Sequence, residues 1–197
     1  MRKTLLLLWL MIPVLFGAYH YGPGQDRMQL DDAADYLARA YQHATAERWL
    51  DAVSDYDEAL ELLPSEEIHS IRRARLERAK SQMMVKKLPE AHRDLEQLAT
   101  EMRDDANADR ALLDEVRAAH ANSQYYMTWL MRLEGEPKER WEPEIEAARQ
   151  TYRLLAESAE TTGKAELTSR YKKDLESVIR LARMELTELQ GLPLPSQ

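Results

Sequence analysis

The residues in this chain that could do chemistry are few and dispersed. The five histidines, His20, His43, His69, His92 and His120, lie in separate stretches, and none sits in a His-Glu-x-x-His or comparable spacing that would aim two ring nitrogens at one metal ion. They read as helix-surface or packing residues, so no metal is expected. The acidic pairs Asp31-Asp32, Glu66-Glu67 and Asp104-Asp105 read as helix starts or breaks, where a carboxylate complements the helix dipole. No nucleophile motif or glycine-rich phosphate loop occurs, and Gly22-Pro23-Gly24 lacks the strand and helix that would give it that role. Zero cysteines exclude disulfides, thiol catalysis and cysteine-ligated zinc. The densest cluster of functional side chains is Asn122 to Trp141, with Tyr125, Tyr126, Trp129, Arg132 and Trp141. It would make a pocket in a helical enzyme or small-ligand receptor. Equally, Tyr126, Trp129 or Leu130, and Leu133 fall at the spacing of a packed helix face. No catalytic residue and no cofactor is expected.

The elements that must position these residues are helices. The chain has 197 residues, 44% hydrophobic and 31% charged, with only six glycines, and no run has strand periodicity. The net charge of −8 becomes more negative once Arg2 and Lys3 are set aside, which argues against nucleic-acid binding, since phosphate contacts need clustered bases. After those two bases the chain is uncharged from Thr4 through Gly24 except for His20. Its apolar part, Leu5 to Ala18, extended through Tyr19 and Tyr21, approaches the roughly 20 residues that cross a bilayer, and the tyrosines suit an interface. The small-x-small cleavage pattern is weak. Residues 1–24 are therefore expected to be a transmembrane or signal-anchor segment, with the N-terminus cytoplasmic and the body extracytoplasmic; cleavage would instead release a secreted soluble protein.

The body is organised around Tyr36 to Pro64. Leu50, Val53, Tyr56, Leu60 and Leu63 recur at three- and four-residue steps, with Asp51, Ser54, Asp55, Asp57, Glu58 and Glu61 pointing elsewhere. Ala40, Ala52 and Ala59 are small where paired helices would approach, and Pro64 ends the second. The pattern recurs loosely: Ala79 matches Ala40, Ala91 matches Ala52, Leu95 matches Tyr56, and Ala148-x3-Tyr152 echoes Ala52-x3-Tyr56. Capping is expected from Asp31 or Asp32 and from Ser65 to Glu67. Further helices should run from about Ala108 to Leu133, from Trp141-Glu142-Pro143 onward, and from Lys164 to Gln190 without a break.

This arrangement of aromatic, small residue, Ala-x3-Tyr-x2-Ala and closing Pro64 resembles the tetratricopeptide repeat, a helix pair of roughly 34 residues. The expected fold is all-α: an N-terminal anchor, then an α-solenoid of about three such pairs (33–66, 68–105 and an extended 108–160) within a domain at 25–190, a capping helix at 164–190, and an irregular tail at 191–197. The resemblance implies that first helices line a concave face. On it would lie Leu37, Tyr41, Arg73, Lys80, Met83, Met84, Asn122, Tyr125 and Tyr126, with Arg73 and Lys80 forming a positive spot. The implied function is a non-catalytic, membrane-anchored scaffold that binds a protein or peptide partner.

Overall fold

The computed structural model describes residues 23–191, together with Trp9, Met11 and Ile12. Eight helices follow one another between Pro23 and Gln190: α1 (Pro23–Thr45), α2 (Trp49–Leu62), α3 (Ile68–Met83), α4 (Leu88–Asp104), α5 (Arg110–Leu133), α6 (Lys138–Thr161), α7 (Ala165–Arg183) and α8 (Leu186–Gln190). No strand occurs among the described residues. Each helix from α1 to α6 packs on the next through a short connection, so neighbours run back against one another. Smaller contacts join α3 to α5, α5 to α7 and α5 to α8. Next-neighbour contact is thus concentrated among odd-numbered helices, and the stack is solenoid-like with those helices on its inner side.

One turn recurs. After α1, α3, α5 and α6 the chain passes through a residue with positive φ: Glu47 at 58°, Lys86 at 62°, Gly135 at 75° and Gly163 at 69°. In each case the following amide reaches back five residues: Arg48 to His43, Lys87 to Gln82, Glu136 to Met131 and Lys164 to Ala159. This is the Schellman closure, which satisfies a carbonyl that the helix end would leave open. Glycine relieves the strain of the left-handed residue in the last two, whereas Glu47 and Lys86 bear it.

The alanines read as contact points are fully buried, Ala40, Ala52, Ala59, Ala79, Ala91 and Ala148 alike, with Tyr56, Leu95 and Tyr152 beside them. Three apolar clusters follow the chain: a small one between α1, α2 and α3, a second through α3, α4 and α5, and a third through α5 to α8.

Several expectations are corrected. Asp31 and Asp32 cap nothing: α1 is continuous from Pro23, a residue suited to a first helical position, and both aspartates are exposed in its interior. Glu67 is the residue before α3, but neither it nor Ser65 makes a side-chain cap; the Ser65 hydroxyl donates to Glu66 instead. By contrast, the break read at Asp104 to Asp109 is present: α4 ends at Asp104 and α5 begins at Arg110, with Asp105 held by the Arg72 guanidinium at 2.8 Å. Leu50 is 65% exposed, because the buried face of α2 is centred on Ala52, Val53, Tyr56 and Ala59 and one residue advances the helix by a little more than a quarter turn. Asp55 does not point outward; Arg39 at 2.9 Å and His43 at 3.4 Å hold it against α1.

The α5–α6 connection is shorter than expected, and α6 already begins at Lys138, with Trp141, Glu142 and Pro143 inside it. Pro143 leaves the Glu139 carbonyl without a helical donor, at an exposed end of the helix. The run from Lys164 to Gln190 is not one helix. It breaks at Met184, whose backbone is extended, because the buried Arg132 side chain donates to the carbonyls of Leu181 and Met184 and takes acceptors a continuing helix would use. A capping box between Glu185 and Glu188 then starts α8, which returns Leu189 to the core.

Among the described residues no helix is long and apolar enough to cross a membrane. The proposed anchor at 5–21 and the tail at 192–197 lie outside the described residues, except that Trp9, Met11 and Ile12 are helical and exposed.

Candidate partner-binding groove

The odd-numbered helices leave between them a groove of about 820 Å³. Ala44 from α1, Glu77, Lys80, Met83 and Met84 from the α3 region, Asp114, Glu115, Asn122 and Tyr126 from α5, and Leu167, Arg170, Tyr171 and Asp174 from α7 line it, while α6 contributes Tyr152 and Leu155 to its floor. Residues of four consecutive inner helices thus face one space. Their apolar members sit there because the stripes that pack α5, α6 and α7 together extend past the contact lines into the open side.

Of the residues placed on this face by sequence, Lys80, Met83, Met84, Asn122 and Tyr126 line the groove. Leu37 packs in the cluster between α1 and α2. Tyr41 is 68% exposed but is not part of the groove wall. Tyr125 does not line the groove but packs against the third apolar cluster, its ring edge-on to Tyr126 at 5.3 Å and 6.0 Å from that of Trp129. Nor do Arg73 and Lys80 make a positive spot. The Arg73 guanidinium grips both carboxylate oxygens of Glu115, at 2.5 and 3.3 Å, and the Lys80 ammonium lies 2.8 Å from Glu77, so both charges are compensated across or along the helices.

The aromatic cluster from Asn122 to Trp141 divides. Asn122 and Tyr126 face the groove, whereas Trp129 is buried in the third apolar cluster. Arg132 spans the α7–α8 junction and lies 4.8 Å over the Trp141 ring, in a cation–π contact. Burial lowers the Arg132 pKa below its ordinary value.

Tyr152, Tyr171 and Asp174 are groove residues that sequence reasoning did not single out as a site. The Tyr152 and Tyr171 rings lie 6.4 Å apart, and the Tyr152 hydroxyl donates to the Ala118 carbonyl at 3.2 Å. Burial, then the nearby Asp174 carboxylate, pushes the phenols of Tyr126 and Tyr152 upward. Tyr171 is raised by burial and by Asp114, Glu115 and Asp174. Asp174 itself is half-buried, and desolvation raises its pKa against the opposing pull of Arg170. The usable signal was a carboxylate three residues from Tyr171 on an apolar stripe, a spacing that puts the two side by side.

The histidines are not all dispersed in space. His92 and His120 stack with centroids 5.1 Å apart, His92 Nδ1 is 3.0 Å from the Ser123 hydroxyl, and Glu144 lies 3.8 Å from His92 Nε2. Ser123 is fully buried and donates to the His120 carbonyl, so its hydroxyl is committed to the backbone. Burial, then His92, lowers the His120 pKa to about 4. Among the described residues no group of three or more His, Cys, Asp or Glu side chains could hold a metal ion.

No protein-family model, no curated protein and no solved structure matches this chain.

Proposed function

We propose that the protein is a non-catalytic scaffold of tetratricopeptide-like build that binds a polypeptide partner in its inner groove, with residues 5–21 anchoring it to a membrane and the helical body on the extracytoplasmic side. The observation that carries the reading is the groove itself: about 820 Å³, walled by four successive inner helices. A continuous trough shared by several repeats suits an extended or helical segment, which presents side chains at regular intervals along its length. Methionines at its α3 edge, Met83 and Met84, adapt their shape to a partner more readily than branched residues do.

The test uses the full chain. Met84→Glu combined with Asn122→Arg introduces charge and bulk at half-buried groove positions without touching the three apolar clusters at their centres. Helical content and melting temperature should stay near the parent values, while proteins captured from detergent-solubilised membranes by the parent are retained at least about tenfold less well, the equivalent of about 1.4 kcal/mol. Equal capture by a folded variant would remove the groove from the binding surface. The anchor is read separately: the full chain should stay with membranes through a carbonate wash, and its appearance in the soluble fraction would end that part of the proposal.

A further inference from the structure

The groove has two sets of charged groups without close partners, and their environments differ. Arg110, Lys164 and Arg170 make no ion pair within 4 Å among the described residues, but all three are exposed, so water solvates them at little cost. Asp174 also lacks both an ion pair within 4 Å and a hydrogen bond among the described residues, yet it is half-buried. A carboxylate taken partly out of water with no partner in direct contact is the costlier situation, and the longer-range pull of Arg170 offsets it only in part. It stands one turn from Tyr171 on α7, in a wall shared with Tyr126 and Tyr152. Across from it, Asp114 and Glu115 belong to the same lining; Glu115 is taken by Arg73, and Asp114 lies 3.6 Å from Arg117 on its own helix. The cations nearest to it on α7, Lys172 and Lys173 beside it in sequence and Arg170 one turn back, make no ion pair with Asp174 within 4 Å among the described residues, and Lys172 pairs with Glu160 instead.

We propose that the niche formed by Tyr126, Tyr152, Tyr171 and Asp174 receives a lysine or arginine side chain of the segment that occupies the groove. This rests on the reading of the groove as a polypeptide site and specifies what that polypeptide must carry. A cation there would meet the negative face of a phenol ring, an attraction that grows as water is removed, and would compensate the half-buried carboxylate with a charge-assisted hydrogen bond. Charge complementarity over longer range points the same way, since the chain carries a net charge of −8 and would draw a basic partner toward it. The polarity is opposite to that implied by Arg73 and Lys80 in the sequence, because those two bases are already spent on Glu115 and Glu77.

The test is a titration of the full chain, kept in a non-ionic maltoside detergent and labelled with carbon-13 in its tyrosine rings. The probes are Nα-acetyl-arginine amide and Nα-acetyl-lysine amide, with Nα-acetyl-glutamine amide and Nα-acetyl-glutamate as controls. Saturable shifts at Tyr126, Tyr152 and Tyr171 should follow the two cationic probes only. Asp174→Asn keeps the side-chain shape and should weaken them at least about tenfold. Three outcomes would overturn the niche: no cation-specific shift, shifts unchanged in Asp174→Asn, or shifts caused by the glutamate probe, which would assign the groove to an acidic segment held by Arg110, Lys164 and Arg170. None of these touches the groove reading, which stands or falls on capture by the Met84→Glu, Asn122→Arg variant.

Discussion

Between α1 and α4 the ion pairs run mostly from helix to helix, whereas between α5 and α8 they stay mostly within a helix and aromatic rings fill the spaces between helices. Arg39 reaches Asp55, Arg78 joins Asp57 to Asp94, and Arg72 holds Glu101 and Asp105, with Arg75 adding a second bond to Glu101. In the second half, Lys138–Glu142, Arg140–Glu136, Arg149–Glu146 and Arg153–Glu157 lie along single surfaces, and the cross-helix pair Lys172–Glu160 has both side chains more than half exposed. There the interior is made by Trp129, Tyr152 and Tyr171 with Ile145, Leu155, Val178 and Leu181. The difference originates in α3. Its sequence IHSIRRARLERAKSQM offers few large apolar residues, so arginine stems cover the contacts with α2 and α4 and their heads find carboxylates there. An apolar half tolerates salt and acid but not loss of volume; an ion-stitched half should behave in the reverse way.

Loss of volume should give the largest effect. Tyr152→Ala removes a 4%-exposed ring shared by α5, α6 and α7 and should cost about 3–5 kcal/mol in urea unfolding. Tyr152→Phe forfeits only the bond to Ala118 and should cost about 1 kcal/mol. Similar losses for both would mean that the hydrogen bond, not the packed ring, holds that half together.

Acid should act next and act where the halves meet. His120 on α5 has its pKa lowered from 6.5 to about 4, so the unfolded chain binds its proton first. Stability from this group is complete above pH 6.5 and is lost as pH falls toward 4, up to about 3 kcal/mol. The groups facing it are His92, stacked on it, and Glu144 beside His92. His120→Gln should flatten that part of the pH–stability curve; an unchanged curve would place the titration elsewhere. The lowered carboxylates Glu101 and Asp105 lose their contribution only at more acidic pH, because they are stabilised as anions.

The smallest effects separate the two kinds of ion pair. Arg72→Met empties a side chain only 10% exposed and leaves Glu101 and Asp105 short of a donor, with an expected cost of about 1–2 kcal/mol. Arg149→Ala removes a pair confined to α6 and should leave the melting temperature unchanged. If the two substitutions matched, the helix-to-helix pairs would be no more structural than surface ones.

Much of the helical frame is legible locally. Ala52, Tyr56, Ala59, Ala91, Leu95 and Leu98 declare a buried face by spacing alone, and Pro64, Pro89, Gly135 and Gly163 mark boundaries because proline lacks a donor and glycine accepts positive φ. Five of the nine nominated groove residues line the groove, since helix periodicity fixes which residues share a face. It does not say which face a neighbour will cover, and so Leu37 and Tyr125 went to packing and Tyr41 to a surface outside the groove.

What the amino-acid order determined by itself is therefore the series of helices, their small contact residues and the acidic balance of the body, each set by interactions within a few residues or by composition. The tertiary structure alone decided how charges and rings from distant segments meet. Arg73 and Lys80 are basic in any reading, but only the approach of α5 to α3 makes Arg73 a partner of Glu115. His92 and His120 are 28 positions apart and become a stacked pair because α4 and α5 pack together. The carboxylate of Asp174, without an ion pair among the described residues, acquires meaning for the same reason: desolvation depends on what surrounds a group, and that depends on how α5, α6 and α7 close around it.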